Sequence, residues 1–547
     1  MTAATASRRS ETATHDLGDG LRVVSFVTDS ASSHLVVLGR DSVLIDCHDA
    51  GLSGIIAAQG LPSPRLIMHT HVQPEHCRES DAFAGAVIAV RDTLRDLAED
   101  SPAYRAACRT IWDKPQEWMD TLGREAYGIG GAVTQFPPSP ALRVGQTFRP
   151  GDVIRLADAE LEVIDLPGHG QDAAGFVLRR GGRALALFSG DLLRHPASLV
   201  NMYDLEYAYG PTRLPQLPDL LERVAGLNVP LLLPSTGPAL ERGPEALRQL
   251  ACKIRDYHAA LQWKPPGDRP APTHDYPTLG RYLKLHEGIY QINNYGNCIV
   301  LIDEQGRGLF VDPGPCDFES PRRIEDFHRD LDLLHERAGL RTVEVALITH
   351  FHGDHYDLVP QLKRRYAGCR TVAWEPLARV IEEPERFPYP CKLPWYNLGL
   401  GAMPVDVKLH RSTTWRWNDI AITTLHLPGH CFVHAGYMLT FRGLRLAITG
   451  DTIQTRGESE SLNYIIVNHS VPDSREGCLA AYEAVLRHEV DLNLGGHSSH
   501  FTDCRRLYEA SLARMRHAQA ALRTLLHDGD LTRAFRRPCL PDLGTLD

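Results

Sequence analysis

An apolar run, closed by a glycine and then by a metal-ligand side chain, occurs twice in this chain at a near-constant interval. This repetition limits the fold more than any single motif does. Leu166-Pro167-Gly168-His169 returns as Leu427-Pro428-Gly429-His430, and Ala186-Leu187-Phe188-Ser189-Gly190-Asp191 returns as Leu446-Ala447-Ile448-Thr449-Gly450-Asp451. The intervals, 169 to 430 and 191 to 451, are 261 and 260 residues. Stacking repeats are about 20–50 residues long, so a period of this size marks a duplicated domain and not a solenoid. The total of 547 residues agrees, because a single hydrophobic core stops growing near about 250–300 residues.

The densest set of ligand-type side chains is His350-Phe351-His352-Gly353-Asp354-His355, which follows the strand-like run Val343–Thr349. A rigid strand that ends in a loop lets imidazoles and a carboxylate converge without obstruction by the backbone, as a divalent cation requires. His430, Asp451 and His497 each follow an apolar run closed by a glycine turn, which suits side chains projected from one edge of a sheet. The order His-x-His-x-Asp-His, then His, Asp and His, resembles the metallo-β-lactamase superfamily, and the repeat extends the resemblance over most of the chain.

That resemblance implies an α/β protein made of two tandem αββα sandwich domains. It implies one metal on His350, His352 and His430, a second on Asp354, His355 and His497, and Asp451 bridging them. Asp312, after Leu309-Phe310-Val311, matches the buried aspartate that orients a ligand, and Asp46 takes its place in the first copy. The implied cofactor is a pair of Zn2+ ions, and such a pair shares a hydroxide that is nucleophilic at neutral pH. The expected activity is hydrolysis of a small-molecule ester, thioester, lactone or related bond, with Asp354 or Asp451 holding the hydroxide and His500 or His434 orienting substrate or moving a proton. His469 is a lesser candidate for substrate contact. The same donor types suit iron, so an iron-dependent oxygenase is the alternative chemistry.

The first copy departs from the second. With His69-Thr70-His71 matched to His350-Phe351-His352, its cluster is two residues longer, Glu75 replaces the aspartate, and Thr236 stands at the position of His497. His69, His71 and His169, with Glu75, His76 or Asp191 added, form a possible site for one further Zn2+. The alternative is a dimerisation or gating module without chemistry of its own.

Residues 1–15 read as a disordered lead-in without an apolar signal region, residues 16–263 as the first domain, 264–284 as a proline-rich linker, and 285–547 as the second domain with a C-terminal helix. Residues 92–145, with Trp112 and Trp118, and the aromatic stretch Phe387–Tyr396 are expected to roof the two sites. A formal charge of −10 without a basic stripe argues against nucleic-acid binding. No run approaches the roughly 20 apolar residues of a membrane helix. The twelve cysteines lack a C-x-x-C pair, and Cys431 beside His430 reads as a small buried residue. The expectation is a cytoplasmic enzyme with a small-molecule substrate, no membrane partner and scope for homo-oligomerisation.

Overall fold

The structure, a computed structural model, describes the chain apart from residues 1–10, 29–30, 49–50, 73, 78, 100–141, 171, 201–215, 293–297, 315–321, 385–400, 412, 432, 454–477, 498 and 528–547. The chain divides into two compact units, one of residues 1–259 with 520–534 and the other of residues 260–519 with 535–547.

In the first unit, seven strands run in chain order across one sheet, from Glu11–Asp16 to Val144–Phe148. Five more, from Val153–Leu156 to Leu231–Pro234, form the other. Apolar β-branched and aromatic side chains dominate the strands, and they suit a surface buried on both faces. Val43, Ile45 and Met68 meet Val163, Phe176 and Phe188 in the core between the sheets. Leu44 and Ile67, on the opposite face, are covered by Leu52 and Ile56 of the helix Leu52–Ala58.

The second unit repeats this plan with a sheet of eight strands, Thr278–Leu279 through Val407–Leu409, and one of six, Thr414–Trp417 through His500–Phe501. Leu309 and Leu347 of the first sheet share a core with Tyr437, Ile448 and Leu494 of the second. The helix Arg323–Ala338 buries Phe327, Leu331 and Leu334 on one stripe and ends at Gly339, whose φ of 76° a side chain would strain. Each unit is therefore an α/β sandwich of the expected class.

Parallel pairing sets the position of the functional loops. The strands Arg307–Val311 and Thr342–Ile348 run parallel, so Asp312 and Thr349-His350 leave the first sheet at the same edge. The strands Leu444–Gly450 and Leu492–Gly495 also run parallel, which brings Asp451 and the turn carrying His497 out together.

Several expected boundaries move. Residues 11–15, expected in the lead-in, belong to the strand Glu11–Asp16, which pairs with Leu21–Val27. The stretch 264–284, expected as a linker, is integrated into the second unit. Asp268 accepts from the buried Arg514 at 3.1 Å, Trp263 stacks on His517 at 4.5 Å, and Thr278–Leu279 and Tyr282–His286 join the eight-stranded sheet. Proline and charge mimic a free linker in sequence, whereas here the charge is one half of a buried ion pair. Most of the 92–145 insert, with Trp112 and Trp118, and Phe387–Tyr396 and His469 lie outside the described residues. Among the described residues, no helix is long and apolar enough to cross a membrane.

Candidate metal centre

In the second unit the edge loops bring seven donors together. His350 Nε2 lies 3.0 Å from His352 Nδ1, and His430 Nε2 lies 2.8 Å from the same Nδ1. Beside this imidazole triangle, His355 Nε2 is 3.5 Å from both Asp354 Oδ2 and Asp451 Oδ2. His497 Nε2 is 2.9 Å from Asp451 Oδ2 and 3.6 Å from Asp354 Oδ2. Asp451 Oδ2 is also 3.5 Å from His430 Nε2, so it touches both halves. Three groups have the spacing of a metal site: His350, His352 and His430; His350, His355 and Asp451; and Asp354, His355 and His497.

The donor chemistry fits a cation pair. An ion held at about 2.0–2.1 Å by three imidazoles in tetrahedral array needs its donors about 3.3 Å apart, close to the spacing found. Burial and the surrounding imidazoles hold His350 well below its usual range, so it presents a neutral nitrogen. Burial would also lower His355, but Asp451, Asp354 and Asp312 hold it well above its usual range. Burial would raise the Asp451 carboxyl, yet His497, His355 and His430 keep it well below the carboxylate range. One half is therefore nitrogen-rich and the other anionic, and a cation binding there displaces protons from imidazoles that face carboxylates.

Neighbouring groups aim the donors. Thr349 donates its N–H to Asp312 Oδ1 at 2.8 Å and its hydroxyl to Asp312 Oδ2 at 2.7 Å. His355 donates Nδ1–H to the same oxygen at 3.0 Å, which turns its Nε2 toward Asp354 and Asp451. His434 stacks on His350 at 4.8 Å and accepts the Asp451 N–H at 3.2 Å. His434 thus positions ligands and does not face outward toward substrate. His500 hydrogen-bonds Gln291 at 3.0 Å and packs edge-on against Tyr276. Gln291 in turn donates to the Gly495 carbonyl at 2.7 Å. The structure therefore places His500 against Gln291 and Tyr276, outside the three donor groups. Cys431 is buried with its thiol toward the Val433 carbonyl.

His497 has a left-handed backbone, φ 50°, uncommon for a residue with a side chain and typical of functional sites. Its side chain is 31 % exposed while the carboxylates beside it are at most 5 % exposed, so the donor set opens to solvent past His497.

The first unit corrects the match between the copies. Thr70 donates N–H and hydroxyl to the two Asp46 oxygens at 2.9 and 2.8 Å, as Thr349 does to Asp312. Thr70 therefore corresponds to Thr349, His71 to His350, Gln73 to His352, Glu75 to Asp354 and His76 to His355, with no insertion. His69 falls at the position of Ile348. Its Nε2 meets Ser80 at 2.9 Å and its Nδ1 lies 3.5 Å from Asp46, so the structure does not bring it to the cluster. His71, His76 and Asp191 do come together, with His169 4.0 Å from Asp191. The Glu75 side chain lies outside the described residues. Thr236 hydrogen-bonds Asp191 at 2.8 Å as His497 bonds Asp451. Thr70, Thr349 and Gln291 were not singled out from sequence, although the Thr-His pair recurring at the end of equivalent runs was the available signal.

Residues 293–497 match the family model of the metallo-beta-lactamase superfamily. No curated protein matches the chain. Similar solved structures include a metallo-beta-lactamase family protein of Thermus thermophilus, 21% identical, covering 45% of this chain and 82% of its own, with a TM-score of 0.34. They also include a subclass B3 metallo-beta-lactamase of Bradyrhizobium japonicum, 16% identical, covering 48% of this chain and 97% of its own, with a TM-score of 0.32.

Proposed function

Residues 293–497 being a metallo-β-lactamase superfamily domain, we propose that the second unit is a metal-dependent hydrolase of a small-molecule ester, thioester or lactone. The observation that carries the reading is the convergence of His350, His352 and His430 on one side of Asp451 and of Asp354, His355 and His497 on the other. When bound, a pair of divalent cations, of the zinc or iron class that these donors suit, would supply an activated water and polarise a substrate oxygen.

The remaining roles fall to the chain's own residues. Asp312 and Thr349 fix the tautomer of His355, and His434 fixes the backbone of Asp451 and the plane of His350. Asp354 and Asp451, buried and held anionic by imidazoles, can orient an activated water by accepting its hydrogen bonds. The opening past His497 admits a small molecule, and the chain's negative charge disfavours a polyanion.

The test combines elemental analysis with hydrolysis of a panel of nitrophenyl esters, thioesters and lactones, for the native chain and a His350→Ala/His352→Ala variant. Native activity should fall by more than about a hundredfold with loss of metal, since Lewis-acid activation supplies several kcal/mol. Hydrolysis that survives in the metal-depleted variant would refute the reading.

A further inference from the structure

In the first unit two donors of the second unit's set are lost, and a third, Asp354, is replaced by Glu75. Gln73 stands for His352, and Thr236 stands for His497 with its hydroxyl already committed to Asp191 Oδ1 at 2.8 Å. One loss falls on each half of the constellation, so neither half keeps the set found in the second unit. The donors that remain face a single atom. Asp191 Oδ2 lies 3.0 Å from His76 Nε2, 3.6 Å from His71 Nε2 and 4.0 Å from His169 Nε2. In the second unit Asp451 Oδ2 instead spreads its contacts over His430, His355 and His497 on two sides.

His71 supplies the independent sign of a ligand. It is 6 % exposed, and its Nε2 is buried without a hydrogen-bond partner while pointing toward Asp191. Leaving such a nitrogen unsatisfied costs about 1–3 kcal/mol, a cost that coordination removes. Its ring packs against those of His76, at 4.4 Å between centroids, and His169, at 5.1 Å, so three imidazoles gather around one carboxylate oxygen.

We propose that the first unit binds one divalent transition-metal ion, of the zinc class, on His71, His76 and Asp191, with His169 beside Asp191. This is a single hybrid site drawn from both halves of the arrangement seen in the second unit. His71, His76 and Asp191 supply three donors with the spacing of a metal site, and His169 Nε2 lies 4.0 Å from the same carboxylate oxygen. The ion holds the edge loops of the first unit together.

The proposal is independent of the activity assigned to the second unit, and two reciprocal variants of the full chain test it. A chain carrying His350→Ala, His355→Ala and Asp451→Ala, stripped and titrated with zinc(II), should bind one ion. A chain carrying His71→Ala and His76→Ala should bind one ion fewer than the native chain, whatever the native total. Cobalt(II) in the first variant should give the intense visible bands of a four-coordinate ion, and thermal unfolding of the zinc-loaded form should shift upward from the stripped form. A stoichiometry of zero or two in the first variant, or an unchanged count in the second, overturns the proposal. Should either variant fail to fold, the other gives the count alone.

Discussion

The same substitution made at equivalent glycines should cost the two units different amounts, and the difference follows from distances. Gly190 and Gly450 end equivalent strands with φ of 57° and 46°, so alanine at either pays about 1–2 kcal/mol for a left-handed backbone. At Gly450 a Cβ would also lie 2.6 Å from Thr349 Oγ1 and 2.6 Å from His434 Nε2. Neither can retreat, because Thr349 is tied to Asp312, His434 is tied to the Asp451 N–H, and both are fully buried. At Gly190 the nearest atoms are those of Thr70 at 3.1 and 3.2 Å, and the position of His434 is taken by the smaller Ala173. Overpacking adds about 1–3 kcal/mol at Gly450, where two contacts fall under 3.0 Å, and less at Gly190, where Thr70 need give only a few tenths of an ångström. Gly190→Ala should therefore cost about 1–2 kcal/mol and Gly450→Ala about 2–5 kcal/mol. At about 2–4 °C per kcal/mol for a unit of this size, the gap is roughly 2–12 °C. Calorimetry in chelator removes metal linkage and reads each unit's transition separately, since a two-unit chain need not unfold in one step. Equal shifts, or a larger shift for Gly190→Ala, would refute the reasoning.

Asp312→Asn removes the acceptor that orients His355 and should weaken zinc binding to the second unit by about 10–100-fold in a chelator competition, while Asp46→Asn leaves that affinity unchanged. Burial pushes His34 down to about 4 despite its bond to the Pro234 carbonyl. Between about pH 6.5 and 4 the unfolded chain holds a proton that the folded chain lacks, so stability falls as pH drops through that window, by roughly 3 kcal/mol in all. In His34→Gln the slope of urea stability against pH over that window should decrease by about 1.4 kcal/mol per unit, and an unchanged slope would count against burial as the cause. Asp268→Ala strands the buried Arg514 and should destabilise the second unit by about 3–5 kcal/mol, read as a lower urea midpoint; a shift below about 1 kcal/mol would mean the pair is solvated.

The sandwich class and the second unit's donors were legible because each depends on local pattern, an apolar run followed by a turn and a ligand. The partner of His500 was not legible, for a related reason. Three residues after His497, His500 looks like part of the same loop, but it opens the strand His500–Phe501, and antiparallel pairing to Asn493 and Leu494 carries its ring toward Gln291. Strand pairing of this kind is set by contacts distant in sequence, so no local spacing reports it. The supposed linker failed likewise, since Arg514 lies 246 residues from Asp268.

His69 shows what identity matching misses. Aligning His69-Thr70-His71 on His350-Phe351-His352 maximises identical letters but shifts the register by two, and the backbone rejects it because Asp46 must receive both the N–H and the hydroxyl of one threonine. The physical unit that repeats is an aspartate at the end of one strand with a threonine at the end of its parallel neighbour. Gly175 and Gly436 repeat for a comparable reason. A Cβ at either would lie 2.3 or 2.1 Å from the leucine that opens the Leu-Pro-Gly-His turn and 3.1 Å from a backbone oxygen of the next strand. These framework residues are the same in both units, whereas three of the donor positions, at Gln73, Glu75 and Thr236, differ. That is the expected pattern if the aspartate, threonine and glycine hold the edge of the sandwich together whether or not an ion is bound, because their partners are backbone and buried core. The donors face mainly one another, so their identity is free to follow the number of ions each unit holds.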